Sequence, residues 1–150
     1  MADIHKQTDS ELPYDVVGIG NAIVDVISHE DENFLNSHNL IKDSMALIDT
    51  DTAVSLYSEM SPTVQSSGGS AANTMSGIAS LGGKAAYIGK IRDDHLGEFF
   101  KHDINAAGVH FGVKPASEGL PTARSMIIVT PDGSRTMNTY LGISTNLSKD

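Results

Sequence analysis

The 150-residue sequence contains no cysteine. A disulfide scaffold and a thiolate metal site are therefore both excluded. No apolar run approaches the roughly 18–20 residues that a membrane helix needs, so no membrane partner is expected. The opening residues 1–13, MADIHKQTDSELP, hold no apolar stretch and are read as a flexible leader rather than a signal peptide. These absences leave the cytoplasm as the expected location. Basic residues are scarce, with ten Lys and Arg against nineteen Asp and Glu and a formal net charge of −9. Such a chain repels a phosphate backbone, so no nucleic-acid partner is expected.

What remains is a globular balance of 39% hydrophobic and 19% charged residues, enough for one domain with a core. The pattern alternates strands and helices. Tyr14–Gly20 reads as a buried strand, and Ile23–Ile27 continues extended. Asp31–Asn39 reads as polar turns and Ser44–Ile48 as a short strand. Asp49 supplies the cap of a helix running to Met60. Val64–Ser67 is extended, Gly68-Gly69 turns, and Ala71–Leu81 has helical spacing closed by Gly82-Gly83. Lys84–Gly89 and Val109–Val113 read as strands around a helix capped at Asp93-Asp94. Ala123–Thr130 and Ser134–Leu141 flank Pro131-Asp132-Gly133 as a hairpin. Strand–helix alternation implies an α/β sheet. The segments around 21–48 and 123–141 are expected to form a second, small antiparallel sheet that acts as a lid over the strand ends, where open α/β sheets bind ligands.

Two constellations carry chemistry. Asn21 and Asp25 stand four apart just past the first strand. A carboxylate accepts two hydrogen bonds and an amide both donates and accepts, which suits vicinal hydroxyls. The alternative is that both satisfy local backbone groups. Gly68, Gly69 and Asn73 stand at a helix entry, where a glycine pair permits close approach of a ligand or simply makes a turn. The first motif is not a dinucleotide fingerprint, because Ile23 stands at the third glycine position; the second lacks the Gly-Lys-Ser/Thr of a P-loop. Arg135 is either a solvated strand charge or a group that neutralises phosphate. The six histidines show no ligand spacing, so no metal site is expected, and no G-x-S-x-G elbow is present.

Together, Gly20-Asn-Ala-Ile-Val-Asp25, Ser67-Gly-Gly-Ser-Ala-Ala-Asn73, Leu81-Gly-Gly-Lys-Ala-Ala-Tyr-Ile-Gly89 and Asp93-Asp-His-Leu-Gly97 resemble, in order, the first half of the ribokinase (pfkB) carbohydrate kinase family. Thr122-Ala-Arg and Pro131-Asp-Gly-Ser-Arg135 are similar to the lid strands of its adenosine-kinase-like branch. The resemblance covers residues 14–150 and implies a ribokinase-like three-layer α/β sandwich with a lid. It implies that Asn21, Asp25, Gly68, Gly69 and Asn73 hold a nucleoside or sugar, adenosine being favoured over ribose or fructose. It further implies that Ile23, Met45, Met126 and Met137 line a hydrophobic wall and that Arg135 neutralises the transferred phosphate. ATP and Mg are the implied cofactors of the parent kinase. The family's catalytic signature, Asp-Thr-x-Gly-Ala-Gly-Asp, does not occur in these 150 residues, so no catalytic residue is assigned and the chain alone is expected to be inactive. From a different class stands a non-catalytic binding module that forms a homodimer through its lid strands or an exposed sheet face.

Overall fold

A computed structural model describes residues 13–149, so most of the expected leader lies outside the described residues. In chain order the elements are β1 (Val16–Ile19), β2 (Ile23–His29), α1 (Glu32–Ser37), β3 (Met45–Leu47), α2 (Thr50–Glu59), β4 (Val64–Gly68) and α3 (Ser70–Ser80). Then come β5 (Ala85–Ile88), α4 (His95–Ala106), β6 (Val109–His110), β7 (Ala123–Val129), β8 (Arg135–Tyr140) and a closing 3-10 turn (Gly142–Asn146). Three of the four α-helices start where a short acidic side chain caps them. Asp49 accepts from the Thr52 amide at 2.8 Å and Asp94 from the Gly97 amide at 2.8 Å.

The strands form two sheets. A three-stranded parallel sheet has the order β1-β5-β6, and a five-stranded sheet has the order β3-β8-β7-β2-β4. The second sheet unites the two segments read as a lid, with two differences from the expectation. It is mixed rather than antiparallel, because β2–β7 and β3–β8 are parallel while β7–β8 and β2–β4 are antiparallel. The β7–β8 hairpin inserts between β2 and β3, and a hairpin fixes only its own pair as antiparallel. The sheet also recruits β4, which returns from α2 along the free edge of β2.

Residues 32–37 form a helix where turns were expected. Asp31 accepts from the Phe34 amide at 3.0 Å, and Leu35 is buried with Ala53, Leu56, Met126, Ile128 and Tyr140. Local polarity is overridden there by burial of one leucine against α2 and the sheet. A second core joins Met75 of α3 and Phe100 and Ile104 of α4 to Tyr87 and Phe111. The Phe100 and Phe111 rings meet edge-on with centroids 5.4 Å apart.

Helices cover one face of the parallel sheet. Gly18 and Tyr87 share a row, and that row meets Met75 of α3 and Phe100 of α4. The opposite rows carry Val17, Ile19 and Ile88, which are 50%, 65% and 39% exposed. Among the described residues β1 is also an edge strand, paired only with β5. An apolar row on a free edge is a surface that asks for a partner. The 150-residue chain should therefore bind a hydrophobic dye and associate as its concentration rises. Substituting Val17→Lys and Ile19→Lys together should reduce both, with thermal stability held within a few degrees. Dye fluorescence and light scattering check this; a wild-type chain that is dye-silent and strictly monomeric would refute it.

Candidate functional site

The site follows from the alternation of side chains across β2. Ile23, Asp25, Ile27 and His29 point to one face of the five-stranded sheet, and Val24, Val26 and Ser28 are fully buried on the other. Asp25 stands opposite Ser66 of β4 and Ser125 of β7, and Ser125 stands opposite Thr139 of β8. Ser125 Oγ and Thr139 Oγ1 lie 2.9 Å apart. The row therefore sets a carboxylate among three hydroxyl side chains. The neighbouring row runs Met45, Met137, Ile127, Ile27 and Val64. Met45, Met137 and Val64 in it are exposed.

The glycine pair is shaped by this carboxylate. A Cβ at Gly68 would fall on the Asp25 carboxyl group, and one at Gly69 would meet the Asn21 carbonyl oxygen at 2.8 Å. Gly69 also has φ +94°, a conformation that side chains disfavour, and it caps α3. Its carbonyl accepts from the Asn73 amide at 2.9 Å, which fixes the first turn of α3 beside Asn21. Both Asn side chains are exposed. Beneath them the Tyr87 hydroxyl lies 3.1 Å from where a Gly20 Cβ would stand. That hydroxyl is buried without a partner among the described residues, and burial pushes its pKa up to about 12.

The structure thus gathers Asn21, Ile23, Asp25, Gly68, Gly69 and Asn73 at one corner, with Met45 and Met137 side by side across the same face. Met126 is not there. It is fully buried on the opposite face, in the core with Leu56 and Ile128. Met137 pairs with Ile127, so parity alone sends Met126 to the other side. Arg135 shares the face but stands opposite Val129, four residues along β8 from Thr139, roughly 13 Å at the rise of a strand. Sequence reasoning missed Ser66, Ser125 and Thr139. The alternation of β7 put Ser125 and Met126 on different faces, but the register that brings Ser125 to Asp25 is not written in either strand. Two carboxylates of α4 also bond outside their helix: Asp103 accepts from the Ser67 amide at 2.6 Å and anchors β4, and Asp94 accepts from the Thr122 amide at 2.9 Å.

Asp25 is half-buried, and desolvation raises its pKa above the ordinary carboxylate value with no donor to offset it. A raised folded-state pKa means stability that is present below the unfolded pKa and lost as pH rises through the folded one. At neutral pH the ionised carboxylate therefore costs the fold free energy. Asp25→Asn should raise Tm at pH 7 by about 1–3 °C, since a partly solvated charge is screened. The gain should vanish as pH is lowered past the ordinary carboxylate value. Calorimetry across pH 3–8 checks this, and a variant less stable at pH 7 would show that Asp25 is a structural group.

The sequence matches the pfkB family carbohydrate kinase profile over residues 16–150. It is 58% identical to the adenosine kinase from Sinorhizobium meliloti, with a TM-score of 0.83 over 91% of this chain and 42% of that one. A probable sugar kinase protein from Rhizobium etli CFN 42 is 53% identical with the same TM-score, over 91% of this chain and 41% of that one. Among curated relatives, Probable fructokinase-2 of Arabidopsis thaliana is 31% identical over 67% of this chain and 30% of its own length. Adenosine kinase 1 of the same plant is 32% identical over 63% of this chain and 29% of its own. The chain thus spans about a third of these curated relatives and about two fifths of the solved structures. On the profile match and the shared architecture, the chain belongs to the pfkB family of carbohydrate kinases.

Proposed function

We propose that these residues are the substrate-holding part of an ATP-dependent phosphotransferase that phosphorylates the hydroxymethyl group of a nucleoside, with adenosine the favoured substrate. The observation that carries the reading is the Asp25 carboxylate, half-buried over Gly68 and lacking a donor among the described residues. Such a group is costly unless a ligand supplies the missing donors. Two vicinal hydroxyls of a ribose would do so, with the Asn21 and Asn73 amides and the Gly69 backbone on the other side of the ring. The apolar row Met45, Met137 and Ile27 then offers a flat surface to a base, with Ile23 at its edge. In this reading the five-stranded sheet is the lid and Arg135 meets phosphate only if the lid moves. The similarity to the Sinorhizobium adenosine kinase supports the same substrate class. The fructokinase names among the relatives favour a second reading, a hexose. A free hexose would leave the apolar row uncovered.

In-line phosphoryl transfer needs a base at the attacking hydroxyl and neutralisation of the transferred charge. Asp94 is occupied by the Gly97 and Thr122 donors, and Asp103 by the Ser67 amide. No group of three or more His, Asp or Glu side chains stands together to hold a metal among the described residues. The work of this chain is to bind and orient the sugar. No helix among the described residues is long and apolar enough to cross a membrane.

The test uses the 150-residue chain and a chimera that adds the part of the Sinorhizobium enzyme this chain does not cover. Each is assayed for ADP release with adenosine, ribose and fructose. The chain alone should give no turnover, and the chimera should prefer adenosine. In the chimera Asp25→Ala should raise the adenosine KM at least about a hundredfold, as expected for losing two charge-assisted bonds. An unchanged KM removes Asp25 from the site, a preference for fructose selects the second reading, and turnover by the chain alone overturns the division of labour.

A further inference from the structure

Behind the five-stranded sheet, on the face away from Asp25, a second charged group is unpaid. Arg124 shares a face of β7 with Met126 and Ile128, so its side chain emerges on the covered side of the sheet. A guanidinium placed there ordinarily meets a carboxylate. The ion pairs among the described residues are His38 with Glu59 and Lys42 with Glu32 and Asp132, and none involves Arg124. Its Nε is buried without a hydrogen-bond partner. The Tyr57 ring of α2 lies against it, with the guanidinium carbon 5.4 Å from the ring centroid, and Tyr140 of β8 stands opposite it. Burial lowers the Arg124 pKa, and the nearby Tyr57, Tyr140 and Asp94 offset that cost only in part.

The guanidinium faces a cavity of about 260 Å³ lined by Tyr57, Asp94, His95, Leu96, Pro121 and Arg124. Asp94 is the one carboxylate in that lining, and its oxygens are already held by the Gly97 amide, the Thr122 amide and the Thr122 hydroxyl at 2.7–2.9 Å. Its position as the cap of α4 keeps it turned to those donors. The volume exceeds the roughly 30 Å³ share of one water several-fold, so a small organic or inorganic anion fits with its hydration. Two of the other lining groups carry donors. The Tyr57 hydroxyl accepts from Gln65 Nε2 at 3.5 Å, which leaves its proton free, and His95 opens α4 with an exposed ring.

We propose that this cavity is a binding site for a small oxyanion of the carboxylate or phosphate-monoester class, with Arg124 as the principal donor and Tyr57 and His95 beside it. Tyr57 and Arg124 belong to α2 and the five-stranded sheet, whereas His95 belongs to α4, which packs into the core of the parallel sheet. The anion therefore bridges the two sheets at the point where they join, and it is separate from the substrate corner on the opposite face. Its occupancy stiffens the joint between them.

The 150-residue chain is titrated with inorganic phosphate and, separately, with acetate, at fixed pH and with sodium chloride holding ionic strength constant. Amide shifts are followed by NMR and Tm by scanning fluorimetry. At least one anion should bind saturably at millimolar or lower concentration, raise Tm, and shift the amides of Tyr57, His95, Leu96 and Arg124. Which of the two does so identifies the class. Arg124→Gln should weaken binding at least tenfold, and Lys84→Gln, at an exposed cation outside both sites, should leave it within twofold. If Arg124→Gln does not fold, the map of shifted amides decides alone. The proposal is overturned if neither anion binds beyond the chloride control, if the shifts gather elsewhere, or if Lys84→Gln abolishes the binding.

Discussion

The structure depends on one pairing. β2 and β7 lie side by side in parallel from Ile23 opposite Ala123 to His29 opposite Val129, although the whole of α2, α3 and α4 separates them in sequence. This contact sets the middle of the five-stranded sheet, and its register decides which side chains share a face. One residue of slip would carry Asp25 into the core beside Met126 and bring Val24 out to the solvent face. The cost of burying an ionised carboxylate without a donor far exceeds that of moving a valine, so the register is held by what it excludes as well as by what it packs. Long-range parallel pairing also closes a large loop before it is rewarded, an entropic cost that the locally capped helices do not bear.

The charged groups at the joint act with that pairing. Asp94 caps α4 and also receives the amide and hydroxyl of Thr122, the residue just before β7. Asp103, two turns further along the same helix, receives the Ser67 amide of β4. One helix therefore ties down both a central and an edge strand of the five-stranded sheet through carboxylate-to-amide bonds, which are stronger than neutral ones. The ends of the sheet beyond these ties, at Arg135, Met45 and Val64, have no such anchor and are exposed.

Much of this was legible in the sequence. Asp49 and Asp94 announced their helices, Pro131-Asp132-Gly133 announced the hairpin, and the Asn21/Asp25 and Gly68-Gly69 motifs fell at one corner. Local chemistry decides such features: a cap bonds three residues ahead, and a turn needs its own four. What was not legible is what depends on distant partners. Met126 and Met137 look alike in sequence, yet the register of the hairpin sends one to the core and the other to the open face. The hydroxyls of Ser66 and Ser125 join Asp25 only through strands remote from it in sequence. The helix at 32–37 was hidden because a largely polar hexapeptide is a poor helix by propensity, and Leu35 and Phe34 find their apolar partners only in α2 and the sheet.

The same physics limits what an open site can do. A carboxylate on a sheet face shares its hydrogen bonds with water, so each hydroxyl of the proposed substrate would exchange one partner for another at little net gain. The advantage grows only as water is excluded and the local dielectric falls. Within these residues the exclusion on one side comes from Gly68, which lets the backbone of β4 close directly over the Asp25 carboxyl group where any side chain would hold it away. On the other side the Met45 and Met137 pair stands exposed, with apolar surface that gains by being covered. Covering that surface and drying the carboxylate are one motion, because both lie on adjacent rows of a single twisted sheet. Binding of a molecule that is apolar at one end and hydroxylated at the other thus strengthens its own hydrogen bonds, and a ligand that lacks either end forfeits part of both contributions.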